Sequence, residues 1–487
     1  MKNLKPLTIL HSNDLHGDFM AEEIDKDLAG GVSLLSGYVQ QQRKEAPNLI
    51  YCIAGDMLQG SLIDAEFKGI STIEIMNTLA PDVVTLGNHE TDYGLTHLLF
   101  LERCARFPIV NANIFIKNPL TRLFTPHKFF KIDGMRIMFI GLITEEVMAS
   151  IKSDNLISSL INVNDAAAEV GRICNAYRNI DVDFTILLTH IGFEEDKRLA
   201  ALLDPNWGVD LIIGGHSHTI LEEPVKINNI LITQAGVGTK HLGRFDIIVN
   251  TDSNDVHSFS WQLLDINEKN CPKDEAMELL LSSYKEQTDE KYGHALSRLR
   301  RKYTHPSRYQ ETELGNLFAD AFAAQTGVDL MLYGSGSIRT ETMQPLVTLG
   351  VLLETVPFKG KLHQLIFTGA QLKQVWRHIL REETFLSDHT EFFQLSHRLR
   401  IAWSRAKQDF ECFEYDGKPV IDDATFLVGL QSFHRDNLET SLGITLEEVL
   451  ANGSEAVIAT NEQDVIIEYF SQHSMNRSRV DGRLTVL

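Results

Sequence analysis

The sequence predicts an α/β protein of two parts, and three observations carry that expectation. Short apolar runs alternate with longer segments of helical period from residue 7 to about 265, the signature of sheets covered by helices. Five of those runs end abruptly in Asp, Asn or His, as strands do when they deliver ligands at their carboxyl ends. At 487 residues the chain also exceeds one ordinary domain.

Taken in order, strands are expected at residues 7–10, 49–54, 83–86, 108–110, 136–141, 184–188, 211–213, 230–233 and 245–249, with another at 257–264. Helical period fills 31–45, 70–79, 95–106, 163–177 and 196–203. The later strands alternate apolar with polar more openly, as in a mixed sheet. Residues 266–300 break this rhythm with a charged amphipathic stretch beginning at Pro272. That stretch predicts a connecting surface helix and a domain boundary. Beyond it, helices at 313–325, 369–381 and 461–474 and strands at 330–333, 362–367 and 425–430 make a second mixed domain. The expected division is therefore 1–265, a connecting segment 266–300, and 301–487.

A hydrophobic content of 43% is enough for substantial cores. The formal charge of −21 argues against nucleic-acid polymers and anionic membranes as partners, because both need a basic face. An acidic protein that handles a small anion must gather positive charge locally, through metal ions or a few arginines. Cys52, Cys104, Cys174, Cys271 and Cys412 are scattered and lack CxxC pairing, which fits free thiols in a reducing compartment. The first residues run straight into a strand, with no signal-peptide pattern, and no run of 18 apolar residues occurs. A cytoplasmic location is expected, and the sequence leaves the oligomeric state open.

The five ligand stretches are His11-Ser-Asn-Asp14-Leu-His16, Gly55-Asp56, Gly87-Asn88-His89-Glu90, Thr189-His190 and Gly214-Gly-His216-Ser-His218. Asp14 and His16 lie two apart, as do His216 and His218, so extended backbone would point each pair to one side. A single such stretch would pass for a helix cap; five of the same form would not. Asp, His and Asn without Cys describe a mixed oxygen and nitrogen site suited to Mn²⁺, Zn²⁺, Fe or Co. Seven ligands exceed the need of one tetrahedral ion. Two ions sharing a bridging carboxylate would use them all, and Asp56, alone on its loop, is the expected bridge.

This series resembles the calcineurin-like binuclear metallophosphoesterases, and the wording HSNDLHG, GNHETDYG, THIGFEED and GGHSHT is similar to their 5′-nucleotidase branch. The resemblance implies a four-layer α-β-β-α metallophosphoesterase domain followed by a smaller mixed α/β substrate-binding domain. It implies Asp14, His16, Asp56 and His218 at one metal, and Asp56, Asn88, His190 and His216 at the other. It implies His89 and Asp92 as the catalytic dyad. In the second domain, ELGNLFADA and GSGSIR are similar to segments carrying substrate-binding arginines, here Arg308 and Arg339. Phe358, in Val356-Pro-Phe358-Lys-Gly, matches the family's base-stacking aromatic, and Phe433 is a candidate second ring. Two departures stand out: residues 429–436 lack the GGDG of the family loop, and Gly334 or its neighbours replace an asparagine ahead of the arginine. These put an adenosine-type preference in doubt.

The expected activity is metal-dependent hydrolysis of a small-molecule nucleotide. A metal-bound hydroxide would attack phosphorus in line and release nucleoside and phosphate from a 5′-monophosphate. 2′,3′-Cyclic nucleotides, nucleotide sugars and dinucleotides are alternative substrates of the same centre. An inactive nucleotide-binding or scaffold protein is the alternative of another class, disfavoured because every ligand is present.

Overall fold

A computed structural model of the chain describes residues 3–24, 26–116, 121–144, 157–159, 163–386 and 390–487. The chain divides into two compact units, Met1–Thr288 and Asp289–Leu487.

The first unit is built on strands β1 (Leu4–Ser12), β2 (Leu49–Ala54), β3 (Val83–Thr85), β4 (Ile109–Val110), β5 (His127–Ile132), β6 (Met135–Ile143), β7 (Phe184–His190), β8 (Leu211–Ile213), β9 (Val225–Ile227), β10 (Ile230–Thr233), β11 (His241–Asn250) and β12 (Asp255–Asp265). One sheet has the order β12-β11-β1-β2-β3-β4 and the other β9-β10-β8-β7-β6-β5. In the first, β1 to β4 run parallel and β11 and β12 are antiparallel. In the second, β6, β7, β8 and β10 run parallel between antiparallel edges.

Alternation along the strands builds the layers. Leu7 and Ile9 of β1 point into an apolar core shared with Phe139, Ile186 and Ile213 of the other sheet, while Leu10 turns to the opposite face. That face is covered by α1 (Val32–Glu45), α2 (Ile70–Leu79) and α3 (Leu95–Cys104), through Leu35, Ile73 and Leu98 among others. The far face of the second sheet is covered by α4 (Val163–Ala176) and α5 (Phe193–Leu202) through Val170 and Leu199. The result is the four-layer α-β-β-α arrangement.

Two differences from the sequence reading have physical causes. Helix α5 begins three residues early because Glu194, Glu195 and Asp196 fill its first turn, where the helix dipole favours negative charge. Strand β5 was not expected; Asp133 and Gly134, both at positive φ, form the two-residue turn that folds it onto β6.

Residues 266–300 are not a free connector. Helix α6 (Glu275–Tyr292) buries Met277 and Leu281 in the core of the first unit. Asp274 caps its start by accepting the Ala276 and Met277 N–H groups. The unit boundary falls within the last turn of α6, and the next strand, Ala295–Leu299, already pairs with Leu346–Thr348 of the second unit. An apolar pair at i, i+4 anchors such a helix, and this one lies on the first unit.

The second unit has a five-stranded sheet in the order Phe393–Leu395, Leu330–Gly334, Thr425–Gln431, Leu362–Thr368, Ala456–Ala459. Helices α7 (Glu313–Thr326) and α9 (Glu462–Gln472) bury Leu317, Phe318 and Ile466 in one core, and α8 (Gly369–Ile379) buries Val375 and Trp376 in another. Among the described residues no helix is long and apolar enough to cross a membrane.

Candidate active site

The ligand stretches leave the carboxyl ends of parallel strands in both sheets. β1 leads to Asp14 and His16, β2 to Asp56, β3 to Asn88 and β8 to His216 and His218, while His190 is the last residue of β7. Parallel strands end on one side, which brings together residues up to 204 positions apart in sequence.

Asp14 Oδ1 lies 3.4 Å from His218 Nε2 and 3.9 Å from His16 Nε2. His16 Nε2 is 3.1 Å from His218 Nε2. Asp56 Oδ2 lies 3.7 Å from His16 Nε2 and 3.1 Å from His190 Nε2. Asn88 Oδ1 is 3.2 Å from His190 Nε2 and 2.9 Å from His216 Nδ1. Ligand atoms are mutually close in three overlapping groups, Asp14–His16–His218, His16–Asp56–His89 and Asp56–His190–His216, so Asp56 stands between the two ends of the cluster.

The donor chemistry fits cations. His16 Nδ1 donates to the Gln59 carbonyl at 3.1 Å and His190 Nδ1 to the Ala54 carbonyl at 2.8 Å, so in the neutral rings each Nε2 presents a lone pair. These lone pairs face carboxylate, amide and imidazole acceptors. Such convergence requires a proton or a metal ion between them. For His190 the proton alternative is visible: burial holds the ring down, but the Asp56 and Asp14 carboxylates outweigh it and push it up to about 10. His16 is pushed down to about 4 by burial. Asp14, His16, Asp56, His216 and His218 all adopt positive φ, between 49° and 78°, a left-handed conformation that costs about 1–2 kcal/mol for a residue with a Cβ.

Main-chain locks hold that strain. Glu90 is 2% exposed, and its carboxylate accepts the N–H groups of Gly87 (2.5 Å), Asp56 (3.0 Å), Met57 (2.7 Å) and Leu58 (3.2 Å). It fastens the Asp56 loop to the Asn88 loop. Burial and the nearby Asp56 push its carboxyl up to about 7. Sequence reasoning missed this residue; the available signal was a carboxylate inside a ligand loop with no assigned task. Gly87 is required where it stands, because a Cβ there would fall 2.1 Å from Asp56 Oδ1. On the other side, Asp14 accepts the His216 N–H at 3.0 Å and an Asn13 amide hydrogen bond at 2.7 Å.

His89 opens a short 3₁₀ turn, His89–Thr91, and its Nδ1 meets Asp92 Oδ2 at 2.7 Å. Burial works against the charged ring, but the hydrogen bond to Asp92 and the Asp56 and Asp92 charges prevail and raise its pKa. Its ring packs edge-on against His16, with centroids 5.2 Å apart, so the dyad borders the ligand cluster.

In the second unit, Arg308 and Arg339 are exposed on adjoining loops, and Arg308 Nη1 lies 3.7 Å from where a Cβ of Gly336 would be. Arg308 acts on the Glu391 carboxyl, whose pKa burial raises and Arg308 lowers. Desolvation, then Arg308, lowers the Arg339 pKa. The Arg339 guanidinium lies 5.9 Å from the centroid of Phe358, which is half-buried and outside both cores. Phe433 is 60% exposed on the helical turn Ser432–Asp436, and that turn replaces the glycine loop of the family. The space left by Gly334 is taken by His434, whose Nε2 would be 2.2 Å from a Cβ there.

A four-layer sheet pair presenting paired oxygen and nitrogen ligands beside a His–Asp dyad defines a metal-dependent phosphoric ester hydrolase. The calcineurin-like phosphoesterase model matches residues 7–219, and the 5′-nucleotidase C-terminal domain model matches residues 290–440. The chain belongs to the calcineurin-like phosphoesterases that carry a 5′-nucleotidase C-terminal domain, a family that works with divalent metal ions. It is 27% identical to the 5′-nucleotidase of Mus musculus over 98% of this chain and 90% of that one. It is 28% identical to a snake venom 5′-nucleotidase of Crotalus adamanteus, over 76% and 70% respectively. Its fold is similar to the solved 5′-nucleotidase precursor from Thermus thermophilus, with TM-score 0.83, 22% identity and 99% of each chain covered.

Proposed function

We propose that this protein hydrolyses nucleoside 5′-monophosphates to nucleoside and phosphate, and that it does so with two divalent ions. The observation that supports this is the position of Asp56 Oδ2, 3.7 Å from His16 Nε2 and 3.1 Å from His190 Nε2, between the Asp14–His16–His218 and His190–His216 groups. Asp14, His16, Asp56 and His218 would hold one ion and Asp56, Asn88, His190 and His216 the other; when bound, the pair supplies Lewis-acid activation and charge neutralisation for displacement at phosphorus. Mn²⁺, Zn²⁺, Co²⁺ and Fe all suit this oxygen and nitrogen donor set.

The remaining chemistry belongs to the chain. With Nδ1 engaged by Asp92, His89 offers Nε2–H to a phosphoryl oxygen and steadies the charge that grows there as the bond to the leaving oxygen breaks. Asp92 fixes the ring orientation and favours the protonated ring that can donate. Arg308, which faces the Glu391 carboxyl, and Arg339 bind the anionic and ribose end of the substrate. Phe358 and Phe433 offer ring faces to the base, where stacking is worth about 1–3 kcal/mol per base. The five cysteines are free thiols, which supports a cytoplasmic setting.

A substrate screen tests the reading: 5′-nucleotides, 2′,3′-cyclic nucleotides, nucleotide sugars and a bis-aryl phosphate, each with Mn²⁺, Zn²⁺ and Co²⁺ after chelation. The expected result is highest kcat/KM on 5′-monophosphates. Higher kcat/KM on cyclic nucleotides or nucleotide sugars would replace the substrate, and no turnover of any phosphoester with any metal would sink the enzyme reading.

A further inference from the structure

Three stretches of the second unit carry the groups assigned to the nucleoside: the turn Ser335–Ser337 ahead of Arg339, residues 356–360 around Phe358, and the turn Ser432–Asp436 bearing Phe433. Surface stretches of this kind wander unless something behind them fixes their spacing. Here the three meet at one buried pair, Gln431 and Glu462, which are 4% and 1% exposed. The Gln431 side chain holds the first stretch, the Glu462 carboxyl accepts from the Gly360 main chain of the second, and the third continues directly from Gln431.

Gln431 Oε1 accepts the Gly334 N–H at 3.2 Å and the Ser337 hydroxyl at 3.0 Å, which anchors the first stretch. Gln431 Nε2 donates to Glu462 Oε2 at 2.7 Å, and Tyr333 OH reaches the same oxygen at 3.5 Å. At the start of α9, the Glu462 N–H donates to the Gly360 carbonyl at 2.8 Å and Gln463 Nε2 to the Val356 carbonyl at 3.0 Å, which anchors the second stretch at both ends. The third stretch follows Gln431 directly, and the Ser432 N–H donates to the Lys361 carbonyl at 2.9 Å. A polar network satisfied on every side holds one geometry, because any displacement strands a buried donor or acceptor.

We propose that Gln431 and Glu462 are the positioning residues for nucleoside recognition, setting the spacing of Arg339, Phe358 and Phe433 so that the site selects phosphoesters bearing a ribose and a planar base. This rests on the nucleotide reading above. Neither side chain touches the substrate. Their effect falls on KM for nucleotides and not on a small aryl phosphodiester, whose hydrolysis needs the metal centre alone.

Steady-state kinetics on adenosine 5′-monophosphate and on bis(p-nitrophenyl) phosphate separate the roles, with wild type, Gln431→Ala, Glu462→Ala, Glu462→Gln and Ser337→Ala compared. The expected result is a nucleotide KM about tenfold higher in Gln431→Ala and Glu462→Ala, the loss of one buried hydrogen-bonded pair. The aryl diester kcat/KM stays within about twofold, and a Gln431→Ala/Glu462→Ala double variant, made alongside, is no worse than either single one. Glu462→Gln stays close to wild type, because burial pushes this carboxyl up to about 8 and the amide reproduces its neutral form. Ser337→Ala removes one hydroxyl from the network without opening the core, so it reports even where an alanine at 431 or 462 fails to fold; a KM about two- to threefold higher is expected. Equal losses on both substrates, or an unchanged nucleotide KM in Ser337→Ala and Gln431→Ala, overturn the proposal. A wild type that turns over the diester but does not saturate with any nucleotide removes the functional reading instead, and this inference with it.

Discussion

The proposed ligand cluster of the first unit and the proposed arginine–aromatic cluster of the second answer to opposite demands. Asp14, Asp56 and His190 are at most 2% exposed; Asp14 and Asp56 sit on left-handed main chain, and the cluster is locked by Glu90 and neighbouring carbonyls. Arg308, Arg339 and Phe433 are exposed, and Arg339 and Phe433 rest on neighbouring rings, those of Phe358 and His434. Chemistry at phosphorus needs atoms fixed to a fraction of an ångström, and burial with redundant hydrogen bonds provides that. Recognition of a ligand that must enter and leave needs groups open to water, so their precision has to come from behind.

Replacing Asp56 by Asn breaks the first half of this comparison most severely. Activity is expected to fall by more than about 10³-fold, beyond the cost of a single transition-state donor, and metal content measured after gel filtration should fall with it. His89→Asn should lower kcat by about 10²–10³-fold with metal content unchanged; wild-type turnover in this variant would mean the dyad is misassigned. Glu90→Gln sets one amide donor against the N–H groups now accepted by the carboxylate. A 10- to 100-fold weaker metal affinity, of order 10–100-fold as for other supporting groups, is expected in chelator competition. Amide exchange at Gly87, Asp56, Met57 and Leu58 should quicken while the strand cores stay protected.

On the second unit the expected effects are smaller and confined to binding. Arg339→Ala should raise the nucleotide KM about tenfold, the loss of a charge-assisted hydrogen bond, and leave aryl diester turnover intact. The smallest effect belongs to Asp210, which immediately precedes β8 and so lies at the opposite end of that strand from His216 and His218. Its carboxylate accepts the Thr185 N–H, yet burial prevails and pushes it up to about 8. A folded pKa above the unfolded value near 3.9 contributes stability that is complete below about pH 4 and lost as pH rises through about 8. Asp210→Asn should flatten the decline in unfolding free energy between pH 5 and 9 by roughly 1–3 kcal/mol, leaving both kinetic constants alone.

The two units also differ in how far their sequences could be read. The ligands of the first announce themselves because each follows an apolar run and ends a buried strand, so residue type and periodicity point to one edge. Glu90 stayed hidden because its work is done on main-chain N–H groups, which carry no residue identity. Gln431 and Glu462 stayed hidden for another reason: they read as the end of a strand and the start of a helix, and their partners, each other, Ser337 and Tyr333, lie 31 to 129 residues away. Strand β5 was missed although Asp133-Gly134 is a hairpin signal, and α6 was taken for a connector because its charged face outweighs the pair Met277 and Leu281. Side chains that end apolar runs are visible in sequence; those that act on backbone or on distant partners become visible only when the fold brings loops together.

The left-handed ligands have a consequence for how the protein would respond to chelation. Their conformational cost is offset by β-sheet pairing and by the Glu90 lock, both of which lie within the chain. Stripping metal should therefore leave the loops in place, and restoring it should be a rapid bimolecular capture and not a refolding event. Enzyme freed of metal is then a stored, rechargeable form whose activity follows the supply of ions.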